Sequence, residues 1–207
     1  MKRNSGGKMI ILGITGAVGA GKSTIMNRLR EQYGAYTIQA DQVGHLLMKK
    51  GQICYDAILK QFGEGILAEN GEIDRKKLGG IVFSNRRLLL KLNNIIHPAV
   101  KQYILDMVKK KRQEGCALFA MEAALLLEEH YDAICDDLWY IYVNDEVRRA
   151  RLKADRGYSD EKITEILENQ LEDGIFRERC RYVVENNGDL NQTYEQIDKR
   201  INMYGIM

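Results

Sequence analysis

Residues 16–24 read Gly16-Ala17-Val18-Gly19-Ala20-Gly21-Lys22-Ser23-Thr24 and fit the pattern G-x-x-x-x-G-K-[ST] at every fixed position. The apolar run before them, residues 9–14, predicts a buried strand, and the apolar spacing over residues 22–32 predicts a helix. A glycine loop between a strand and a helix turns successive backbone N–H groups, and the positive end of the helix dipole, toward one point. The stretch therefore predicts a phosphate-binding loop in an α/β fold, against the alternative of an ordinary glycine-rich turn.

The side chains of this loop have distinct expected tasks. Lys22 would reach the β- and γ-phosphates of a nucleoside triphosphate, and the Ser23 hydroxyl would be a ligand of Mg²⁺. The nucleotide-binding residues predicted here are Gly19, Ala20, Gly21, Lys22, Ser23 and Thr24.

Length and charge bound the class of protein. The 207 residues fit one large domain, predicted over residues 9–207 after a short disordered leader, residues 1–8. Lys and Arg number 31 against 29 Asp and Glu, a net charge of +2, which favours neither a nucleic-acid nor a membrane-surface partner. The four cysteines form no C-x-x-C pair, which is typical of free thiols in a reducing compartment. We expect a soluble cytoplasmic protein, a monomer or a weak homo-oligomer.

Two carboxylates follow predicted strands. Asp41 lies just past a short β-prone run, at the edge where open α/β sheets bind ligands. It is equally compatible with the N-cap of a helix over residues 42–50. Glu122 follows the apolar run 116–121, the predicted central strand, and is a candidate Mg²⁺ group or a charge at a helix start.

Two further segments extend the basic fold. Residues 51–115 are helical by pattern and exceed what a crossover between strands needs, which indicates a region for a second substrate. Within them, His97-Pro98 predicts a helix start with His97 held there. Residues 145–170 begin with an arginine-rich helix ending at Gly157, interpreted as a lid over the triphosphate or as an ordinary solvated helix.

A small-molecule kinase and a GTPase switch both remain compatible with the loop. Residues 41–44 match the D-x-x-G of a switch, but the guanine-reading N-K-x-D is missing, since residues 186–189 lack the Lys. The basic lid and the helical insertion favour a kinase, and selective GTP and GDP binding would favour the switch.

Motifs along nearly the whole chain resemble the dephospho-coenzyme A kinase family. The phosphate loop matches from Thr15 to Thr24, and Gln39-Ala40-Asp41 stands where the family has D-A-D. The later matches are F-G-x-x-I-L at residues 62–67, Asn70-Gly71 with Arg75, Leu78 and Val82-Phe83, His97-Pro98, Glu122 to Glu128, Arg148 to Leu152, Gln170, and Val183 to Asn186.

The resemblance implies a three-layer P-loop fold with a five-stranded parallel sheet, a helical substrate-binding region and a lid. It also implies transfer of phosphate from ATP, with Mg²⁺, to the 3′-hydroxyl of dephospho-coenzyme A. The implied roles are catalytic for Asp41, Lys22 and Arg151, lid contacts for Arg148 and Arg156, metal binding for Ser23 and Glu122, substrate binding for Arg75 and His97, and an adenine contact for Asn186.

Three departures from the family pattern affect these roles. Gln39 replaces the first Asp of D-A-D, so only Asp41 carries over as the base. Glu122 replaces an Asp, and Arg156 lies one place later than the family's second lid arginine, where Asp155 stands. Transfer to another small alcohol or to a nucleoside monophosphate is the alternative among kinases.

Overall fold

The computed structural model describes residues 8–168 and 170–206. Its strands are β1 (Ile10–Thr15), β2 (Tyr36–Gln39), β3 (Leu118–Glu122), β4 (Asp137–Tyr142) and β5 (Tyr182–Glu185). Its helices are α1 (Lys22–Tyr33), α2 (Ala40–Leu47), α3 (Tyr55–Phe62), α4 (Arg75–Val82), α5 (Arg86–Gln113), α6 (Asp145–Arg156), α7 (Asp160–Glu168), α8 (Asp173–Arg179) and α9 (Leu190–Asn202). In this part of the chain, no helix is both long enough and apolar enough to cross a bilayer.

The five strands form one parallel sheet, as predicted, and their order in it is β2-β3-β1-β4-β5. The central strand is β1, so the prediction of residues 116–121 as the central strand is wrong. Strand β1 pairs with β3 on one side and β4 on the other, with Ile14 opposite Glu122 and Thr15 opposite Tyr140. Parallel strands need long crossover connections, and α-helices lie between β1 and β2, between β2 and β3, and between β4 and β5. The register brings the end of β3 level with the end of β1, where the glycine loop begins.

The described residues fall into two compact units, the first comprising those up to Thr37 and those from Lys111 onward. An apolar cluster of this unit lies on one face of the sheet. Trp139 and Ile141 of β4 are fully buried there, together with residues of α1 and α9. The helix residues of the cluster are Ile25, Met26, Leu29, Ile197 and Ile201.

The opposite face of β4 carries Tyr140 and Tyr142, because side chains alternate along a strand. Tyr140 stacks on Phe176 of α8, with ring centroids 4.8 Å apart and an interplanar angle of 9°. The guanidinium of Arg177 lies 4.5 Å from the centroid of the Tyr142 ring. Helix α8 was not predicted, because its seven residues are too few to show a helical period.

The second unit, Ile38–Lys110, contains α2, α3, α4 and most of α5. Ile58, Ile66 and Ile104 are fully buried in it. Helix α4 begins where the Asp74 carboxylate accepts hydrogen bonds from the backbone N–H groups of Lys76 and Lys77, at 2.8 and 3.2 Å. Such a cap satisfies two of the four free N–H groups of a helix start.

The predicted helix start at His97-Pro98 is wrong, because α5 runs from Arg86 to Gln113 through Pro98. A proline inside a helix removes one hydrogen bond and crowds the carbonyl four residues earlier. Here Leu92 before it and Val100, Ile104 and Val108 after it are all buried. Continuous packing of that face outweighs the lost bond, and His97 lies in the middle of a helix.

The predicted leader, residues 1–8, lies outside the described residues except for Lys8. The ammonium of Lys8 is 2.6 Å from Asp136 Oδ1, and Asp136 Oδ2 accepts from the Ile11 backbone N–H at 2.9 Å. Lys8 therefore contacts Asp136, which precedes β4 and is itself bonded to the backbone of β1.

Candidate active site

The glycine loop between β1 and α1 has the backbone that phosphate binding requires. Gly16, Gly19 and Gly21 have φ angles of 147°, 82° and 86°, values that favour glycine. A Cβ on Gly16 would lie 2.5 Å from the Ile141 carbonyl oxygen, and one on Gly21 would lie 2.4 Å from Asn186 Nδ2. Packing around the loop therefore excludes side chains at these positions, while α1 directs its N-terminus toward the same loop.

Lys22, the first residue of α1, is folded back over this loop. Its ammonium donates to the carbonyl oxygens of Gly16 at 2.8 Å and Ala17 at 3.2 Å, and lies 3.8 Å from Glu122 Oε1. Glu122 is the last residue of β3, and its side chain is only 16 % exposed. No helix begins in the described residues directly after it, so the interpretation of Glu122 as a helix-start charge is wrong.

The oxygen atoms near the loop suit a hard cation. Ser23 is an exposed residue of the first turn of α1, and Glu122 contributes a carboxylate beside Lys22. The Thr15 hydroxyl, immediately before the loop, is buried without a hydrogen-bond partner. Mg²⁺ prefers one or two protein oxygens completed by water and phosphate oxygens. Within residues 8–168 and 170–206 no group of three His, Cys, Asp or Glu side chains is arranged to hold a metal.

Helix α6 lies directly on the loop. A Cβ on Gly19 would be 3.0 Å from Leu152 Cγ and 3.2 Å from Arg148 Cγ. Arg151 Nη1 is 3.8 Å from a Cβ position on Gly21, and Arg151 Nη2 donates to the Asn186 carbonyl oxygen at 2.8 Å. Two arginines one helical turn apart therefore flank the loop.

The two arginines differ in their partners. The Arg148 guanidinium donates to Asp145 at 2.5 Å, but its Nε is buried without a hydrogen-bond partner. An unpaired buried donor above a phosphate-binding loop fits an anionic ligand. Arg156, at the end of α6, is exposed and lies 5.9 Å from the centroid of the Tyr158 ring. The structure thus brings Arg148 and Arg151 to the loop but not Arg156.

Asn186 reaches the loop from the end of β5. It is 2 % exposed, and its Nδ2 donates to the Ala20 carbonyl oxygen at 2.7 Å. The loop therefore contacts Lys22, Arg151 and Asn186, and Glu122 lies beside Lys22.

Within the second unit, Asp41 is the second residue of α2 and is exposed. The residue at the N-cap of α2 is Gln39, so the interpretation of Asp41 as that cap is wrong. His45 lies four residues after Asp41, on the same face of the helix. Arg75 is the first residue of α4.

His45 links these groups electrostatically. Burial lowers its pKa from the usual 6.5, the positive charge of Arg75 lowers it further, and the negative charge of Asp41 opposes the shift. The three side chains are therefore close enough to influence one another, and His45 is neutral at neutral pH. His45 was not predicted as a site residue, although its i, i+4 spacing from Asp41 places both on one face of a helix. His97 is half-buried in α5.

A family model and the sequences of known relatives point to the same protein family, and a solved structure shares the fold. The family model for dephospho-CoA kinase matches residues 10–192. A dephospho-CoA kinase of Carboxydothermus hydrogenoformans is 36% identical over 90% of this chain and 90% of its own, and one of Aquifex aeolicus is 37% identical over 91% and 94%. A crystal structure of a Thermus thermophilus protein superposes with a TM-score of 0.81 and 26% identity, over 94% of this chain and 97% of that one.

Proposed function

The chain belongs to the dephospho-CoA kinase family, and we propose that residues of the glycine loop, α6 and α2 carry its reaction. As a member of that family it is a kinase that uses ATP to phosphorylate the 3′-hydroxyl of dephospho-coenzyme A, giving coenzyme A and ADP in the final step of coenzyme A synthesis. The observation that carries the residue assignments is the glycine loop with Lys22 folded over it and two arginines of α6 beside it.

The loop would hold the ATP phosphates. The Lys22 ammonium now donates to two loop carbonyls, and it would exchange them for β- and γ-phosphate oxygens. Charge-assisted bonds to phosphate are stronger than bonds to neutral carbonyls, so the exchange favours the nucleotide. Ser23 and Glu122 would hold Mg²⁺, which supplies charge neutralisation on the phosphates.

Asp41 would accept the proton of the attacking hydroxyl or orient that hydroxyl. Its carboxylate is exposed at the start of α2, one helical turn from His45. A positioned carboxylate is the kind of base that kinases use for an alcohol acceptor. Arg75 and His97 would bind the acceptor substrate, and the cationic Arg75 suits an acceptor rich in phosphate.

Arg151 would neutralise negative charge on the phosphoryl group during transfer, with Arg148 beside it and Arg156 as a further lid residue. Arginines of this kind are worth about a thousandfold or more in rate in related chemistry. Residues 145–170 would close as a lid and exclude water, which protects ATP from hydrolysis.

The cysteines bear on the compartment in which the protein works. All four cysteines are free, and burial raises the pKa of Cys135 and of Cys180 to about 12, so neither thiol is reactive at neutral pH. Free thiols are typical of the reducing cytoplasm, where we place the protein as a monomer or weak homo-oligomer. Its partner is the small-molecule substrate, without nucleic acid or membrane.

A coupled ADP-release assay with ATP and Mg²⁺ tests the proposal. Dephospho-coenzyme A should give turnover far above AMP, CMP, shikimate and pantothenate. Lys22→Ala is the control, because loss of the loop lysine should remove ADP release with every acceptor if the chain itself is the catalyst. Equal turnover with another acceptor would contradict the assigned substrate.

A further inference from the structure

Asn186 joins three parts of the first unit. Its backbone N–H donates to the Tyr142 carbonyl oxygen of β4 at 2.8 Å. Its own carbonyl oxygen accepts from Arg151 Nη2 at 2.8 Å, and its side-chain Nδ2 donates to the Ala20 carbonyl oxygen at 2.7 Å. One buried residue therefore holds a sheet strand, the lid arginine and the phosphate-binding loop.

The bond to Ala20 has a geometric consequence for Gly21. The Ala20 C=O and the Gly21 N–H belong to one planar peptide unit, and the described residues contain no cis peptide bond. In a trans unit these two groups point in opposite directions. The bond from Asn186 to the carbonyl therefore fixes the direction of the Gly21 N–H, one of the amides predicted to hold phosphate.

Thr193 of α9 determines which end of the Asn186 amide faces the loop. Its hydroxyl donates to Asn186 Oδ1 at 3.1 Å, and Thr193 is 1 % exposed. Longer approaches to the carbonyl oxygens of Glu185 and Asp189 measure 3.4 and 3.5 Å. Because the Ala20 carbonyl accepts hydrogen bonds and never donates, only the NH₂ end of the amide can face it. The hydroxyl donor on Oδ1 stabilises that orientation.

We propose that Asn186 and Thr193 are positioning residues of the kinase reaction. Their side chains aim the Gly21 amide without contacting the nucleotide, while the main-chain carbonyl of Asn186 holds Arg151. The inference rests on the proposed function. It gives the Asn186 side chain a task different from the adenine contact implied by the family resemblance. Through this residue the loop and the lid arginine are arranged together before ATP binds.

The test compares Thr193→Val with Thr193→Ser. Valine matches the size of threonine but lacks the donor, so the Asn186 amide loses its fixed orientation. For Thr193→Val we expect the ATP dissociation constant, measured by calorimetry, to be about tenfold larger than in wild type. We also expect about a tenfold lower kcat, with the KM for dephospho-coenzyme A within about twofold of wild type. Thr193→Ser keeps the hydroxyl and should restore both ATP affinity and kcat.

A folded Thr193→Val protein with a lower Tm but wild-type ATP affinity and kcat would show a merely structural residue and overturn the inference. If that variant does not fold, Asn186→Ala combined with Thr193→Val removes both partners and leaves neither side chain unpaired. Wild-type ATP affinity in the double variant would equally overturn it. Failure of the wild-type chain to phosphorylate dephospho-coenzyme A would contradict the proposed function instead, and the ATP-binding comparison would still decide this inference.

Discussion

At the scale of single residues, Asp41 carries the sharpest chemical prediction. Asp41→Asn keeps the size of the side chain but removes its ability to accept a proton. We expect ATP affinity to stay within about twofold, while kcat falls about a hundredfold or more, as for loss of a general base. Single-turnover measurement of phosphoryl transfer checks it. Asp56→Asn, in the first turn of α3, is the matched control and should behave as wild type. An Asp41→Asn enzyme that keeps most of its kcat would remove Asp41 from the mechanism.

The charges around His45 give a second residue-level prediction. Burial and Arg75 hold its pKa below 6.5, and Asp41 partly opposes them. Arg75→Gln should therefore raise the His45 pKa, and Asp41→Asn should lower it further, because one removes a positive charge and the other a negative one. Titration of the imidazole by NMR measures both. Shifts of opposite sign to these would show that the three side chains do not interact as described.

The loop residues could be predicted from sequence because their partners are near in the chain. Gly16 to Thr24 form a local structure, and the spacing alone specifies it. Asn186 and Ala20, by contrast, are 166 residues apart, and no periodicity relates them. The same holds for Arg75 and His45, which are far apart in the chain although the charge of Arg75 lowers the His45 pKa. Sequence reasoning found most of the candidate residues, but not which of them touch.

At the scale of elements, α6 depends on its N-terminal cap. Asn144 Oδ1 accepts from the Val147 backbone N–H at 2.9 Å, and its own N–H donates to Asn187 Oδ1 at 2.6 Å. Asn144→Ala should cost about 1 kcal/mol of the free energy of unfolding, as for other caps. It should also lower kcat, since Arg148 and Arg151 follow in the next turns. Urea denaturation and steady-state kinetics check these effects. Asn144→Asp, which keeps the acceptor, is the control, and equal losses in both variants would contradict a capping role.

Helix boundaries illustrate what local rules miss. A local rule does hold just before α7, where the Ser159 hydroxyl accepts a hydrogen bond from the Lys162 backbone N–H at 3.3 Å. The break at Pro98 was wrong because the local preference of proline competes with the packing of a 28-residue helix, which no local pattern records. Tertiary contacts along α5 therefore keep the helix continuous through Pro98.

At the scale of the whole molecule, a buried charge near the start of β4 anchors the chain's last helix. Asp137 is 5 % exposed and accepts from Arg200 Nη2 at 2.6 Å and from the Tyr204 hydroxyl. Burial raises the pKa of Tyr204 to about 12, and its bond to Asp137 adds to the shift.

Because the unfolded chain releases the Tyr204 proton near its usual pKa of 10.0 and the folded chain holds it to about 12, the associated stability is complete below pH 10 and is lost as pH rises through 12. The free energy of unfolding should therefore fall less steeply above pH 10 in Tyr204→Phe than in wild type. Urea denaturation followed by circular dichroism from pH 8 to 11.5 measures the slope. Identical slopes in the two proteins would exclude this tyrosine as the source.

The class of the sheet was predicted, but the order of its strands was not. Alternating strands and helices predict a parallel sheet, and the resemblance implies five strands, but neither gives the register of Ile14 opposite Glu122. That register depends on side chains packed across more than a hundred residues of chain. The position of the Glu122 carboxylate beside the glycine loop is therefore known only from the structure.

The burial of Trp139 has a practical consequence. It is the sole tryptophan of the chain, its side chain has no exposed surface, and its indole N–H donates to the Tyr204 hydroxyl at 3.1 Å. Its fluorescence emission should accordingly be blue-shifted in the native protein and shift to the red when the apolar cluster around β4 opens. The molecule thus contains an intrinsic optical probe that reports the unfolding of its first unit without any label.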